Sequence, residues 1–361
     1  MSHHAITAPV DGAAFARLMA PFGPFETNPD LAVAVSGGRD SLSLAVLAKE
    51  WAADRGGRAI ALIVDHGLRV EAAEEARATA RLLARQGLDS VVLCWDGPKP
   101  VTGLQEAARE ARYRLLRQAC RERGILHLLV AHHADDQDET IAMRAARASG
   151  PDGLAGMAAL VEWAEVRLLR PLLAVRRARL TATLAARGIA WIDDPSNADP
   201  RFERARLRLA GVPDSARRVA DPMRTDREVA AAKAGVALIE ARDDGAVTLD
   251  PDEFGRLSIG LRQRLLSHLV RSIGCGRHPP RRERLDRALG RLSGSLERGK
   301  SGRERDFTLS GCQFALRQAA GSRRLVWIVR AESGRKGGQP LIPAAFFACD
   351  PAAATHLWTW P

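Results

Sequence analysis

No two cysteines of this 361-residue chain lie close together. The five, Cys94, Cys120, Cys275, Cys312 and Cys349, are scattered, and no C-x-x-C occurs. Zinc ribbons, redox dithiols and cysteine-held clusters need thiols a few residues apart, so none has support here. An odd, dispersed set also argues against a disulfide framework. There is no apolar run of the ~18 residues that a transmembrane helix requires. Residues 1–18, MSHHAITAPVDGAAFARL, lack the basic-then-apolar layout of a secretory signal. The expected location is therefore the cytoplasm, with no membrane partner. Also missing are the Walker loop G-x-x-x-x-G-K-[ST] and the G-x-G-x-x-G dinucleotide fingerprint. Lysine is scarce as well, at 5 of the 54 basic residues.

What is present is a globular composition, 46% hydrophobic and 27% charged, over a length that predicts two or three domains. The net charge is +11. Residues 251–330 hold 18 Arg or Lys against 7 Asp or Glu, so this stretch carries the entire surplus and the remainder is neutral. A basic second half beside a neutral first half favours a nucleic-acid partner. Arginine dominance through genome composition is the competing explanation.

The chain is organised around LAVAVSGGRDS, residues 31–41. Leu31 to Val35 read as a buried strand, Ser36-Gly37-Gly38-Arg39-Asp40-Ser41 as a turn, and a helical pattern follows from Leu42. Glycines let backbone approach an anion. The free N–H groups of the turn and of the first helical turn point at that anion, and Ser36 and Ser41 add hydroxyl donors. S-G-G alone is a common turn, but the strand before it and the helix after it favour a phosphate cradle.

Further strands are expected at Arg58–Val64, Val91–Cys94, Ile125–Val130 and Val166–Leu169. Helices are expected over 71–86, 104–123, from near Asp136 to Arg147, and over 176–187. Strand and helix alternate, which predicts an α/β fold with a doubly wound parallel sheet and its site at the carboxyl ends of the strands. Pro151 to Met157 reads as a mobile loop beside that site. Beyond a break around 211–227, residues 228–296 read as mainly helical. A hairpin follows, formed by Phe307–Leu316 and Arg324–Arg330 around a turn at Gly321, and the tail after Ser333 reads as poorly packed. The expected domains are 1–215, 216–300 and 301–361: catalytic, helical and basic, and a small β-containing segment with the tail.

Three polar groups fall just past strand ends: Ser36–Ser41, Asp65–Arg69 and His132–Thr140. Asp135, Asp136 and Glu139 crowd the start of a helix, where carboxylates are favourable as caps. One acid suffices for a cap. Three acids beside His132 and His133, near a phosphate loop, point instead to Mg²⁺ or to acid–base work on a nucleotide. Arg109 and Arg112, three apart, share one helical face, suited to a phosphate or a base oxygen and equally to solvent.

SGGRDS resembles the SGGxDS loop of the PP-loop ATP pyrophosphatases, which grips the pyrophosphate released when ATP adenylates a substrate. Taken in order, SGGRDS, VDHGLR, EAAREARYRLL, AHHADDQDET, RPLL and DDPSNADPRF resemble the tRNA(Ile)-lysidine synthase family over roughly residues 30–208. The resemblance implies a Rossmann-like PP-loop fold that uses ATP and Mg²⁺. Its implied substrates are L-lysine and tRNA(Ile) with a CAU anticodon, whose wobble cytidine is adenylated at C2 and then attacked by lysine. It implies Ser36, Gly37, Gly38, Asp40, Ser41 and Asp65 as nucleotide-binding residues, and Asp40 and Asp136 as Mg²⁺ ligands; Arg39 falls at the variable position of SGGxDS and reads as an auxiliary phosphate contact or as plain solvent-facing charge. Asp40, Arg112, His132 and Asp136 are the implied catalytic set, and Arg109, Arg204 and Arg208 the residues that touch tRNA or substrate. Arg281, Arg282 and Arg284 are expected to bind tRNA as part of the basic region. The family usually continues past the SN turn into an arginine–asparagine pair, where this chain reads Arg204-Ala205. A homodimer is compatible with the sequence, which leaves the oligomeric state open. Thiolation relatives would bring catalytic cysteines or an iron–sulfur cluster, against which the isolated cysteines weigh. A non-catalytic nucleotide-regulated RNA-binding protein is the alternative from another class.

Overall fold

A computed structural model describes residues 8–69, 71–147, 154–163, 165–192, 223–242, 244–274, 280–293, 306–319 and 321–332. The chain forms two compact units, divided between Ala220 and Asp221.

The first unit is a six-stranded sheet. Its strands are β1 (Asp30–Val35), β2 (Arg58–Asp65), β3 (Ser90–Cys94), β4 (His127–Leu129), β5 (Leu160–Glu162) and β6 (Arg167–Leu169), in the order β3-β2-β1-β4-β6-β5. β1 is central, paired in parallel with β2 from Asp30↔Arg58 to Val35↔Ile63 and with β4 from Leu31↔His127 to Val33↔Leu129. Side chains alternate across a strand. Leu31, Val33 and Val35 therefore enter one hydrophobic layer with Leu44, Leu47 and Leu83, whereas Ala32 enters the other with Leu62, Leu116 and Leu128. Such a strand must be apolar throughout, because both its faces are covered. The covering helices are α1 (Gly12–Met19), α2 (Arg39–Ala53), α3 (Ala72–Arg85), α4 (Leu104–Glu122), α5 (Ala134–Ala146) and α6 (Arg177–Ala185).

The sheet is parallel except at one edge. β5 pairs antiparallel with β6, from Leu160↔Leu169 to Glu162↔Arg167. Between them Trp163 N–H donates to Val166 O at 3.0 Å. That connection is too short for the crossover a parallel pair needs. Two helices also begin earlier than apolar periodicity suggests. α2 starts at Arg39 and α5 at Ala134, because their first turns carry the polar residues of the site and not core residues.

The second unit mixes helix and strand more closely than expected. It contains α7 (Met223–Leu238), β7 (Ile239–Ala241), β8 (Val247–Leu249), α8 (Pro251–Arg256), α9 (Ile259–Gly274), α10 (Arg282–Ser293), β9 (Phe307–Leu309), β10 (Cys312–Gln318) and β11 (Leu325–Ala331). The antiparallel sheet runs β7-β8-β11-β10-β9. β7 and β8 fall inside the stretch read as helical, and at three residues each they are too short to display a period of two. The strand expected over 307–316 is broken at Ser310 (φ 50°) and Gly311 (φ 81°), where the chain turns back. Phe254, Leu266, Leu269, Phe314 and Trp327 share one core, so helices and hairpin are packed together.

Residues 151–153 of the glycine-rich loop, the DDPSN segment, Arg204, Arg208 and the tail beyond Ser333 lie outside the described residues. The described end of the loop is tied to α5. Gln137 Nε2 donates to Met157 O (3.1 Å), Met157 N–H donates to Gln137 Oε1 (2.6 Å), and Arg144 Nη1 donates to Gly156 O (2.8 Å). Among the described residues no helix is long and apolar enough to cross a membrane.

Candidate active site

β1 delivers the chain at Val35 into Ser36, Gly37 and Gly38, and α2 begins at once. Gly37 has φ +86°, and a Cβ there would stand 2.4 Å from Thr79 Oγ1 on α3. Only glycine fits both that conformation and that clearance. Ile192 N–H donates to Gly37 O at 3.1 Å. Ser36 N–H donates to Ser41 Oγ (3.2 Å), Ser41 Oγ donates to Gly38 O (3.0 Å), and the two serine hydroxyls lie 3.3 Å apart. Leu42 N–H is bonded to Gly38 O, whereas the amides that open the helix have no intrahelical acceptor. Backbone donors, paired hydroxyls and the positive end of α2 are thus gathered at one point, an arrangement that holds an anion.

A cavity of about 470 Å³ lies at this carboxyl end of the sheet. The turn contributes Ser36, Asp40 and Ser41 to its wall, the end of β2 contributes Asp65 and His66, α4 contributes Arg112 and Tyr113, and the end of β4 contributes His132. Six residues singled out from sequence, Ser36, Asp40, Ser41, Asp65, Arg112 and His132, therefore share one cavity. Asp65 Oδ1 accepts from Gly67 N–H at 2.8 Å, which fixes the turn after β2. His132 Nδ1 accepts from Arg170 Nε at 3.3 Å, and Arg170 Nη1 donates to Ala158 O at 2.7 Å. Burial, aided by the Arg112 guanidinium, pushes His66 below its ordinary range. Burial raises the Tyr113 hydroxyl, but Arg109, Arg112 and Arg170 outweigh it and the net direction is down.

Behind the turn is a network of charges. His133 is the N-cap of α5 and is 1% exposed. Its Nε2 lies 3.4 Å from Asp40 Oδ2 and 3.5 Å from Asp136 Oδ2, and its Nδ1 3.4 Å from Asp135 Oδ2. Burial pushes the imidazole down, but Asp135, Asp40 and Asp136 overcome this and raise it to about 9. Arg177 Nη2 donates to the same Asp40 Oδ2 at 3.0 Å, and Arg177 N–H donates to Asp135 Oδ2 at 2.9 Å. Burial alone would raise Asp40; His133 and Arg177 hold it below the usual carboxylate range. Asp40 Oδ1 is buried with no hydrogen-bond partner among the described residues.

Other sequence candidates take different places. Asp136 is 8% exposed and accepts from the His133 N–H through Oδ2 at 3.1 Å, closing the start of α5. It is absent from the cavity wall. Arg109 is also off the wall, its guanidinium 5.0 Å from the Tyr113 ring centre. Arg39 lies 5.5 Å over the Trp191 ring. Arg281, Arg282 and Arg284 are exposed at the start of α10 in the second unit. Sequence reasoning did not single out His66, Tyr113, Arg170 or Arg177. The first three sit inside motifs that were visible, VDHGLR, EAAREARYRLL and RPLL. Arg177 is one arginine among several and carried no signal.

Residues 11–214 match the PP-loop domain family. The tRNA(Ile)-lysidine synthase of Bradyrhizobium sp. is 40% identical over 321 residues, covering 81% of this chain and 88% of that protein. The one from Rhodopseudomonas palustris is 49% identical over 227 residues, 62% of this chain and 65% of its own length. That of Brucella suis biovar 1 is 38% identical over 356 residues, 90% of this chain and 78% of its own. With a PP-loop match over more than half its length and relatives of this similarity along most of it, the chain belongs to the tRNA(Ile)-lysidine synthase family of PP-loop proteins.

Proposed function

We propose that this chain is an ATP-dependent ligase that joins L-lysine to C2 of the wobble cytidine of tRNA(Ile) with a CAU anticodon. The observation that carries the reading is the meeting of the SGGRDS turn, Arg112 and His132 on one cavity, in a chain 40% identical over 321 residues to a tRNA(Ile)-lysidine synthase. In the first step the C2 oxygen of cytidine attacks the α-phosphorus of ATP. The α–β bridging P–O bond breaks and pyrophosphate leaves. In the second, the neutral ε-amine of lysine attacks C2, the C2–O bond breaks, AMP departs, and the nitrogen gives up its proton.

The residues suit this sequence. Ser36, Ser41 and the amides opening α2 would take the charge developing on pyrophosphate, a preorganised electrostatic effect. Arg112 would steady the α-phosphate or the C2 oxygen, and His132 would act at the base. Asp65 and the glycine turn would complete the nucleotide site, with Arg39 as an outer phosphate ligand. Mg²⁺ is held by one or two carboxylates together with substrate phosphates, and the unpartnered Asp40 Oδ1 meets that requirement. When bound, the ion would neutralise phosphate charge. Asp136 enters this reading through His133 and through the lysine amine, which needs a nearby base to be neutral. Arg109, Arg204, Arg208 and the Arg281–Arg284 cluster are assigned to tRNA, and the cytoplasm is the proposed location.

The decisive test is mass analysis of nucleosides from tRNA(Ile) incubated with the protein, ATP and lysine. Lysidine is the expected product. Thiocytidine would move the chain to the thiolation relatives, and unmodified cytidine with no pyrophosphate release would remove the catalytic reading.

A further inference from the structure

The PP-loop aspartate is held from outside its own helix. Asp40 sits in the first turn of α2, where a carboxylate is favoured by the helix end. Two side chains from elsewhere in the chain converge on one of its oxygens. Arg177, at the start of α6, reaches Oδ2 at 3.0 Å. His133, after β4, stands 3.4 Å from the same oxygen, an ion-pair separation without a hydrogen bond. The two arms are braced against each other through Asp135, which accepts from Arg177 N–H and lies 3.4 Å from His133 Nδ1. Arg176, next in the chain to Arg177, is paired at 2.5 Å with Asp138 of α5, so the starts of α5 and α6 are locked together at two points. All of this fixes Oδ2, while Oδ1 of the same carboxylate, on a residue in the cavity wall, is buried and has no donor among the described residues.

A buried carboxylate oxygen without a donor is costly unless a ligand supplies the missing partner. A carboxylate with one oxygen tied by a fixed outer partner and the other without a donor is the arrangement that orients metal ligands. We propose that Arg177 and His133 are positioning residues that clamp Asp40 Oδ2, so that Oδ1 is presented to the divalent cation travelling with the ATP phosphates. The inference rests on the reading of Asp40 as the cation ligand of an ATP site. Arg177 supplies the directional part, since its planar guanidinium fixes the angle of the bond; an ammonium would hold charge but not orientation.

The test uses the full chain and its Arg177→Gln, Arg177→Lys and Asp40→Asn variants. Binding of Mn²⁺–ATP is followed by the electron paramagnetic resonance of the bound ion, and binding of metal-free ATP in chelator by calorimetry. Arg177→Gln is expected to weaken Mn²⁺–ATP by about 10- to 100-fold, the range for loss of an outer partner of a metal ligand. Metal-free ATP should bind it as it binds the wild type. Arg177→Lys should fall between the two, and Asp40→Asn should abolish the metal-dependent part. Should Arg177→Gln fail to fold, judged by its melting temperature, Arg177→Lys decides alone. Equal Mn²⁺–ATP affinity in wild type and the Arg177 variants would overturn the proposal, as would equal losses with and without metal. A wild-type chain that binds Mn²⁺–ATP in this manner but forms no lysidine would leave the clamp standing and remove only the assigned reaction.

Discussion

Arg170 Nε donates to His132 Nδ1 at 3.3 Å, and this bond settles which nitrogen of the imidazole carries the proton. Arginine has no acceptor, so Nδ1 must be bare and the hydrogen-bond network assigns the proton to Nε2. In this state the imidazole on the cavity wall is a donor at Nε2. Replacing Arg170 with Met should lower kcat for lysine incorporation by about 10²-fold, the lower end for loss of a positioned acid–base group, with ATP affinity nearly unchanged. It should also cost about 1–3 kcal/mol of stability, because Ala158 O loses its buried donor. Steady-state kinetics and urea unfolding on one preparation separate the two effects. A change in KM for ATP alone would contradict the assignment. His132→Ala should abolish incorporation of labelled lysine.

Asp40→Ala should stop pyrophosphate release in the presence of tRNA(Ile), ATP and lysine. Half-buried Arg177 and buried His133 then lose their shared carboxylate, so the melting temperature should fall as well. Asp40→Asn keeps the volume and separates chemistry from folding. An Asn variant with near-normal pyrophosphate release would mean that the carboxylate serves structure only.

At Gly37, both the left-handed backbone and Thr79 Oγ1, which would stand 2.4 Å from an added Cβ, oppose any side chain. Gly37→Ala is expected to cost about 1–3 kcal/mol from backbone conformation alone, and to weaken ATP binding. Adding Thr79→Ala removes the collision but not the strained φ. Recovery in the double variant should therefore be partial; complete recovery would show that φ was never the constraint.

His133 gives stability a pH dependence of predictable sign. Its folded value, about 9, lies above the ordinary 6.5, so protonation favours the folded chain. The contribution is full below pH 6.5 and is lost as pH rises through about 9, with a ceiling of about 3 kcal/mol for a shift of this size. The stability gap between wild type and His133→Gln should narrow across this window in denaturant titrations at fixed ionic strength. A gap that widens with pH would reverse the assigned charge state.

Charge reversal at Arg281, Arg282 and Arg284 should weaken tRNA binding and flatten its salt dependence. The log–log slope should fall by up to about 3, near one unit for each phosphate that is no longer neutralised. An unaltered slope would mean that the exposed start of α10 is not the tRNA surface.

The central strands and the turn were legible in the sequence for a local reason. A strand covered on both faces must be apolar throughout, and a backbone that approaches Thr79 needs glycine, so LAVAVSGG announces both requirements. β5, β7 and β8 were not legible. Three residues show no period, and their pairing depends on partners such as Arg167–Leu169 and Leu325–Ala331 that lie at other points of the chain. Among site residues, Ser36, Asp40, Ser41 and His132 stood out because strand ends and turn chemistry single them out. Asp136 was equally conspicuous, but its carboxylate is turned to the His133 amide.

Sequence by itself determined the alternation of strand and helix, the anion-holding turn and the family, because each is written in short-range spacing and residue type. Only the tertiary structure decided that Arg177, 137 residues from Asp40, grips one of its oxygens while the other is buried without a donor among the described residues. Such a pairing has no trace in local pattern. It exists because the sheet brings the starts of α2, α5 and α6 together, where half-buried charges find one another.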